Sequence, residues 1–356
     1  MGTTNLIHKV PQPASPWENF TFASFFACAG GADFGMKAAG ANPVYVNEFR
    51  RSVAELHRLN HGFPVDTRSI TETGVTDYGS PTIMLGGFPC QPFSKAGNQL
   101  GGQDARGQMG VVFAEKIMAA KPPAFICENV APFLTKPEFA DVYGAMLAVW
   151  GDAYVVTPTL LNACHYGVPQ SRERAFIIGY RRDLGIRFRA GTITPSYHTA
   201  TIRTAIADLV GLAIPMAGKS PLTGHEYAVS ALAPYLRAFG RIRGWDQPSY
   251  TVVCGIGSLP LHPDPLPICM AGQPGVLLSN QTGTWHRRLT VRECARIQTF
   301  PDDFAFGNAS LTLAHDVLGN AIPPDLMERI AVAVRSDLVR AGVVSQSAPA
   351  QLRLVA

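Results

Sequence analysis

A cysteine in a proline-bounded loop is the first residue of this chain whose setting suggests chemistry. The run GGFPCQPFS (86–94) places Cys90 just beyond the β-type run PTIMLGGF (81–88), and Pro89 and Pro92 stiffen the loop around it. A thiolate in such a loop could attack an electrophilic carbon. Because a single loop cysteine is more often inert, Cys90 taken alone leaves the chemistry open.

An acidic side chain ends the next β-type run. Glu128 and Asn129 close the segment PAFICEN (123–129), and in a parallel sheet this position lies near Cys90. A carboxylic acid that shares a pocket with a thiol can stay protonated and donate a hydrogen bond. The alternative is an acid–amide pair that caps a helix.

Two arginines follow in the segment QSRER (170–174). Arg172 and Arg174 are two residues apart in a β-type run, so both side chains should point to the same side of the strand. Two guanidiniums that face one way can hold a phosphate or a base carbonyl. An edge strand that carries charged side chains is the alternative.

A glycine pair lies where a nucleotide-like cofactor could bind. The apolar run FTFASFF (20–26) leads to Gly30 and Gly31, and a helical pattern follows. Small residues let the backbone approach a ligand, and the helix N-terminus then faces it. Glu48 could accept hydrogen bonds from ribose hydroxyls, and Asp66 could accept one from an adenine amino group. The alternatives are a carboxylate that stabilises a helix N-terminus and a turn aspartate.

The elements that must position these residues alternate between strand and helix. We expect strands over 20–26, 42–49, 81–88 and 123–129, and helices over 32–40, 52–60, 110–120, 139–151, 288–300 and 325–341. Such alternation predicts an α/β fold with a parallel sheet that is covered on both faces. Ligands then bind outside the carboxyl ends of the strands.

A second region, residues 183–285, has a different character. It is rich in Pro, Gly, Thr and Ser, with short β-type pieces such as 249–256, and predicts a loop-rich, mostly β domain. Residues 181–290 hold 11 Lys and Arg against 5 acids, a charge of +6, so a total of +4 leaves −2 elsewhere. This asymmetry suits contact with a polyanion, and a solvated basic face explains it equally well.

Composition excludes several other classes of protein. The hydrophobic fraction of 47% suits a globular chain, no apolar run is long enough to span a bilayer, and the first residues lack the features of a signal peptide. The seven cysteines contain no C-x-x-C pair and should be reduced. We therefore expect a cytoplasmic protein, and we predict no metal site.

The motifs, taken in order, resemble those of the DNA cytosine-C5 methyltransferases of bacterial restriction–modification systems. They are FFACAGG (25–31), NEF (47–49), GGFPCQPFS (86–94), ENV (128–130), QSRER (170–174), RRLTVRECARIQTFPDDF (287–304) and GNAIPP (319–324). The resemblance implies methyl transfer from S-adenosylmethionine to C5 of a flipped-out cytosine in duplex DNA. It also implies a Rossmann-like domain with a mixed, mostly parallel sheet and a smaller, loop-rich, mostly β target recognition domain.

The resemblance assigns a role to each candidate residue. Cys90 would be the nucleophile, Glu128 would contact N3 of the cytosine, and Arg172 and Arg174 would orient the base and backbone. The implied cofactor residues are Phe26, Ala27, Gly30, Gly31, Glu48, Asp66 and Asn320. The implied DNA contacts are Gln91, Ser94, Arg106 and Thr251.

The domain boundaries and partners follow from the same resemblance. Residues 18–182 and 311–345 would form the catalytic domain, and 183–310 would form the recognition domain with its supporting helix at 288–300. The partners would be double-stranded DNA and a cognate restriction endonuclease, and we expect a monomer. One departure from the family pattern is Cys28, where the family usually has glycine, because a Cβ there could crowd the cofactor.

Three other functions remain as alternatives. The first is a tRNA cytosine-C5 methyltransferase of the same family, although residues 183–285 contain no Cys-Phe-Thr element. The second is a catalytically silent DNA-binding relative. The third is a cysteine hydrolase, for which His165 is the one tempting base.

Overall fold

The computed structural model describes residues 17–89, 108–216, 222–229, 241–270, 276–279 and 282–346. Its centre is a six-stranded sheet in the order β3-β2-β4-β5-β8-β6. These strands are β2 (Thr21–Phe25), β3 (Asn42–Asn47), β4 (Ile83–Gly87), β5 (Ala124–Val130), β6 (Tyr154–Asn162) and β8 (Glu173–Arg181). The first four are parallel, and β8 runs antiparallel to β5 and β6, so the expected mixed, mostly parallel sheet is confirmed.

Helices cover both faces of this sheet. They are α1 (Gly31–Ala38), α2 (Arg51–His61), α3 (Val75–Tyr78), α4 (Met109–Ala120), α5 (Pro132–Thr135) and α6 (Ala140–Trp150), with α7 (Ile202–Ile206), α8 (Val291–Ile297), α9 (Leu311–Asn320) and α10 (Pro324–Arg340) later in the chain. One core cluster includes Met36 and Leu326 from α1 and α10, and another includes Phe113 and Trp150 from α4 and α6. The sheet is therefore buried on both faces, which explains its nearly continuous apolar strands.

The other strands of the described residues are only two or three residues long. They are β1 (Trp17–Glu18), β7 (Gln170–Ser171), β9 (Ile214–Met216), β10 (Glu226–Ala228), β11 (Ser249–Tyr250), β12 (Val276–Leu278), β13 (Trp285–Arg287) and β14 (Ser345–Gln346). They form two-stranded pairs: β1 with β14, β9 with β10, β7 with β11, and β12 with β13. No helix in the described ranges is long and apolar enough to cross a membrane.

A third apolar cluster crosses the predicted domain boundary. It joins Ile202 and Val252 to Cys294 of α8, Val317 of α9 and Cys28 beside the glycine pair. Residues 183–310, called the recognition region after their predicted role, therefore pack on the same core as the ends of β2 and β3, called the cofactor edge for the same reason. The boundaries at 183 and 310 stay a prediction.

Two predicted elements differ from the observed ones. The β-type run at 249–256 gives only the two residues of β11, because its partner β7 is equally short. Beyond β11 the backbone ladder is replaced by side-chain bonds: the Thr251 hydroxyl donates to the Ser171 carbonyl, and the Val252 amide donates to the Gln170 side chain. The helix predicted over 288–300 begins at Val291, since Thr290 and Glu293 form a capping box at its start. Strand β6, absent from our prediction, lies at the sheet edge, where Pro158 is tolerated.

Candidate active site

The predicted cofactor residues meet at the carboxyl ends of β2 and β3. The Ala27 amide donates to the Asn47 carbonyl at 3.1 Å, and the Glu48 amide donates to the Asp66 carbonyl at 3.0 Å. These bonds hold the turn after β2, the end of β3 and the Asp66 segment side by side. The structure thus brings together positions that are separated by up to 40 residues in the chain.

The glycine pair makes the tight turn into α1. Gly30 has φ of 86°, a conformation that favours glycine, and its amide donates to the Ala27 carbonyl at 3.0 Å. A Cβ at Gly31 would lie 2.7 Å from the Ile322 carbonyl oxygen. The turn is therefore shaped by contact with the segment that follows α9, as well as by its own conformation.

The unusual Cys28 also lies in this turn. Its φ is 52°, as is that of Phe26, so two side-chain-bearing residues adopt the left-handed conformation. The family's usual glycine would fit this φ without strain. The Cys28 thiol is buried 3.6 Å from the Val317 carbonyl of α9. Burial and the neighbouring Glu48 carboxylate raise the pKa of this thiol to about 12, so it stays protonated and is no nucleophile.

Two carboxylates extend from this edge. Glu48 is buried, and its oxygens accept hydrogen bonds from the amides of Cys28 at 3.0 Å and Arg50 at 2.9 Å. Asp66 is half-buried, and hydrogen bonds from Arg68 are the main cause that lowers its pKa to about 2. Each Glu48 oxygen can accept a second bond, so Glu48 can still bind a hydroxyl. Asp66 Oδ1 already accepts from the amide and Nε of Arg68, and Oδ2 accepts from the Tyr45 hydroxyl and Arg68 Nη2, so a new donor at Asp66 has to displace one of these bonds.

A chain of polar contacts connects Asn320 to this edge. The Asn320 side chain donates to Asp316 at 2.9 Å, and Arg50 Nη1 donates to the other oxygen of Asp316 at 2.6 Å. Arg50 Nε lies 3.5 Å from Glu48 Oε1. The sequence analysis missed Arg50 and Asp316, since neither lies in a quoted motif with a recognisable spacing.

Phe49 is a further residue that the sequence analysis left without a role. It directly follows Glu48 and is 64% exposed. An exposed aromatic ring beside a buried carboxylate offers a flat surface for a planar base. Its position in the motif NEF (47–49) could have identified Phe49 as a candidate binding residue.

Glu128 lies at the second edge of the site, at the end of β5. It is the register partner of Gly87 in β4, three residues before Cys90, and Asn129 donates to the Phe88 carbonyl at 3.2 Å. Arg174 Nε lies 3.1 Å from Glu128 Oε1. Burial raises the pKa of Glu128, and this effect outweighs the lowering by Arg174 and Arg172.

Arg172 differs from Arg174 in what it contacts. Its side chain is buried, and its guanidinium donates to the carbonyls of Val252 at 2.9 Å, Gly319 at 2.8 Å and Ala321 at 3.0 Å. Both arginines lie near Glu128, yet only Arg174 contacts its carboxyl group. Arg172 instead joins the recognition region to both neighbours of Asn320.

Gln170 supports the same junction and was also missed as a functional residue. Its side chain accepts from the Val252 amide at 2.8 Å and donates to Gln298 at 2.8 Å. Gln298 in turn donates to the Leu318 carbonyl. Gln170 lies in the quoted segment QSRER, but only the arginines there suggested chemistry.

Of the remaining candidate residues, the structure describes Thr251. Cys90, Gln91, Ser94 and Arg106 lie outside the described residues. The Thr251 hydroxyl donates to the Ser171 carbonyl at 2.7 Å, so it holds the recognition segment against the catalytic body. Its role as a DNA contact stays a prediction.

Comparison with known proteins decides the family. The model of the C-5 cytosine-specific DNA methylases matches residues 20–231 and 260–336. The chain belongs to this family. It is a DNA cytosine-5-methyltransferase, as the motifs predicted.

Curated relatives and solved structures agree with this assignment. The methylase is 33% identical over 330 residues to the Type II methyltransferase M.MthTI of Methanothermobacter thermautotrophicus, covering 90% of this chain and 98% of that one. It is 32% identical over 328 residues to M.NgoPII of Neisseria gonorrhoeae, covering 89% and 96%. The S. pombe Dnmt2 methyltransferase has the same fold, with a TM-score of 0.62 at 16% identity over 90% of this chain and 99% of its own.

Proposed function

We propose that this methylase transfers a methyl group from S-adenosylmethionine to C5 of a flipped-out cytosine in duplex DNA, through a covalent bond between Cys90 and C6. The buried Glu128 carries the proposal. Its raised pKa favours a protonated carboxyl, and β4–β5 register places it beside the strand end that leads to Cys90. An acid at this position can give a proton to N3 of a cytosine.

The chain's own groups would then act in a fixed order. The Cys90 thiolate adds to C6, a bond forms between Sγ and C6, and N3 takes up the Glu128 proton. C5 would thereby become nucleophilic and would form a bond to the methyl carbon as the bond between that carbon and the cofactor sulfur breaks. Water would take the C5 proton, N3 would return its proton to Glu128, and departure of the thiolate from C6 would restore the ring double bond. Arg174, beside Glu128, would hold the base, while Arg172 would orient the protein backbone around it.

The cofactor edge is suited to S-adenosylmethionine. Bound there, this cofactor supplies the methyl group as an electrophile. The buried Glu48 carboxylate has acceptor capacity left for ribose hydroxyls, and Asp66 would accept from the adenine amino group in place of a bond from the exposed Arg68 side chain. Phe26 and the exposed Phe49 would contact the adenine ring, and Gly30, Gly31 and Ala27 would keep the turn close to the ligand. Asn320 would complete the pocket through its link to Arg50.

The relatives' names suggest a biological setting. M.MthTI and M.NgoPII are Type II methyltransferases, so we infer that this methylase protects a specific site from a cognate restriction endonuclease. We also infer that it acts as a monomer. Expression of the chain with bisulfite sequencing of the host DNA tests the first inference, because one methylated motif is expected.

A trapping experiment tests the covalent mechanism. Long duplex DNA of random sequence that contains 5-fluorocytosine should form a stable adduct with the wild type in the presence of cofactor. Cys90→Ser should form none and should still bind DNA, while Cys269→Ser, which alters an exposed cysteine in another region, should behave like the wild type. Turnover by Cys90→Ser would refute the nucleophile. Labelled methyl transfer to total tRNA, with none to duplex DNA, would favour the tRNA alternative.

A further inference from the structure

Two arginines of the recognition region lie against one tyrosine ring. The Cζ atom of Arg243 is 4.3 Å from the centroid of the Tyr250 ring, and that of Arg241 is 5.5 Å away. Contacts at these distances are cation–π interactions, which fix the position of a guanidinium. Tyr250 thus organises both side chains.

The position of this ring is set by the catalytic body. Tyr250 is the register partner of Ser171 in the parallel pair β7–β11, directly before Arg172. Ser171 is three residues from Arg174, which contacts Glu128. The tyrosine and its arginines therefore lie on the segment that joins the recognition region to the proposed cytosine pocket.

The two arginines differ in how their donors are used. Arg241 donates to the Ser258 carbonyl and, at 2.8 Å, to the Thr251 carbonyl, so it stabilises the local loop. In the part of the chain that the structure describes, the Arg243 guanidinium contacts the Tyr250 ring and makes neither a hydrogen bond nor an ion pair. Its Nε atom is buried without a partner, which leaves the two terminal nitrogens to donate outward.

Among the residues that the structure describes here, few neighbours can supply the same donors. The Thr251 hydroxyl donates to the Ser171 carbonyl, so its hydrogen is already used. Arg203 also lies over an aromatic ring, that of Trp245 at 5.6 Å, but its guanidinium forms an ion pair with Asp246 at 2.8 Å. Arg243 combines a close contact with the Tyr250 ring with donors that have no acidic partner among the described residues.

We propose that Arg243 recognises a guanine of the DNA site by donating from both terminal nitrogens to O6 and N7 in the major groove. A planar guanidinium matches these two acceptors, and this pairing distinguishes guanine from the other bases. The Tyr250 ring, 4.3 Å from Arg243 Cζ, would limit the positions that the guanidinium adopts before DNA binds. The proposal rests on sequence-specific methylation of duplex DNA, as proposed above.

Methylation of a random-sequence duplex library, followed by bisulfite sequencing, tests this role. The wild type should methylate one motif that contains an invariant guanine. Arg243→Ala should accept any base at that guanine, with kcat/KM on the wild-type motif reduced roughly 10- to 100-fold. Arg243→Lys should recover part of the preference, and Tyr250→Phe should keep it because the ring remains.

Arg203→Ala is the matched control. It removes another arginine that lies over an aromatic ring of the same region, and it should leave the motif unchanged. If Arg243→Ala keeps the full motif and lowers the salt dependence of binding by about one charge, the residue contacts a phosphate and the proposal is wrong. An unchanged motif and affinity would also contradict it. If the wild type methylates no duplex DNA, the proposed function fails before Arg243 is tested.

Discussion

The cofactor edge and the recognition region are built from different kinds of interaction. At the cofactor edge, backbone amides of neighbouring strand ends hold the acidic side chains, as Cys28 and Arg50 hold Glu48. In the recognition region the strands are two or three residues long, and single backbone bonds, such as that from the His262 amide to the Arg287 carbonyl at 2.8 Å, connect its segments. Buried side-chain pairs add to them: Arg287 forms two hydrogen bonds of 2.8 Å with Glu293 in α8.

Mutations in the two regions should therefore have different consequences. A polar side chain at the cofactor edge can be changed without loss of the sheet, so the main effect should be on ligand affinity. In the recognition region the backbone ladders are at most three residues long, so a buried ion pair contributes a larger share of the local stability. We therefore expect mutations there to unfold the region and mutations at the cofactor edge to weaken binding.

The largest effect is expected at Glu128, where a substitution should change the rate of reaction and neither unfold a region nor weaken ligand binding. Glu128→Gln should lower kcat by about 100- to 10,000-fold, because an amide cannot give its proton to N3. Cofactor and DNA affinities should change little. Because burial raises the pKa of Glu128 and only its protonated form can give a proton to N3, wild-type kcat should fall as the pH rises through that pKa, and the variant should lose this dependence. Single-turnover rates across pH provide the measurement, and an unchanged rate in the variant would remove Glu128 from the mechanism.

The second effect is on the stability of the recognition region. Glu293→Gln should lower the free energy of unfolding by about 3–5 kcal/mol, since it leaves the buried Arg287 guanidinium without its charge partner. Although burial raises the pKa of Glu293, the bonds from Arg287 hold it below its ordinary value. The stabilisation of the folded region by the Arg287–Glu293 bonds is therefore present at neutral pH and is lost as the pH falls through this lowered pKa.

Denaturant unfolding checks this second prediction. The double variant Arg287→Met with Glu293→Leu removes both charges and should recover part of the loss. Cofactor affinity should stay within about threefold of the wild type if the two regions differ as described. Equal losses of stability and of cofactor affinity would break the comparison.

The third effect is on cofactor binding. Glu48→Gln should weaken S-adenosylhomocysteine binding about 10- to 100-fold, because a carboxylate that accepts from hydroxyls becomes a weaker, neutral acceptor. The free energy of unfolding should fall by about 1 kcal/mol, because the amides of Cys28 and Arg50 keep only one good acceptor. Calorimetric titration measures the affinity, with Glu55→Gln on the exposed side of α2 as control. Unchanged affinity would exclude Glu48 from the pocket.

The smallest effect concerns the departure from the family pattern. Cys28→Gly should change the free energy of unfolding by less than about 1 kcal/mol, since relief of the left-handed strain offsets the lost side-chain packing. Cys28→Val should cost about 2 kcal/mol or more, because a β-branched residue fits this conformation poorly. Thermal unfolding distinguishes the two variants, and equal stability of both would argue against strain at this turn.

The sequence alone was enough to predict the family and the alternation of strands and helices along most of the sheet, and to select Glu48 and Asp66 as candidate acids. Those features depend on motifs and on periodic patterns, which are local and can be recognised in one stretch of chain. Glu48 and Asp66 each follow a β-type run, and the carboxyl ends of parallel strands meet at one edge. The site's general location therefore follows from local information.

Only the tertiary structure decided what each arginine does. Arg172 and Arg174 share one motif, yet one bonds to carbonyls 80 to 149 residues away and the other contacts Glu128. In the same way, Arg241 and Arg243 look alike in the sequence, yet both lie over the Tyr250 ring and only Arg241 also donates to the carbonyls of Ser258 and Thr251 among the described residues. A guanidinium can donate up to five hydrogen bonds in several directions, so its partners are set by the packing of distant segments, which local sequence does not specify.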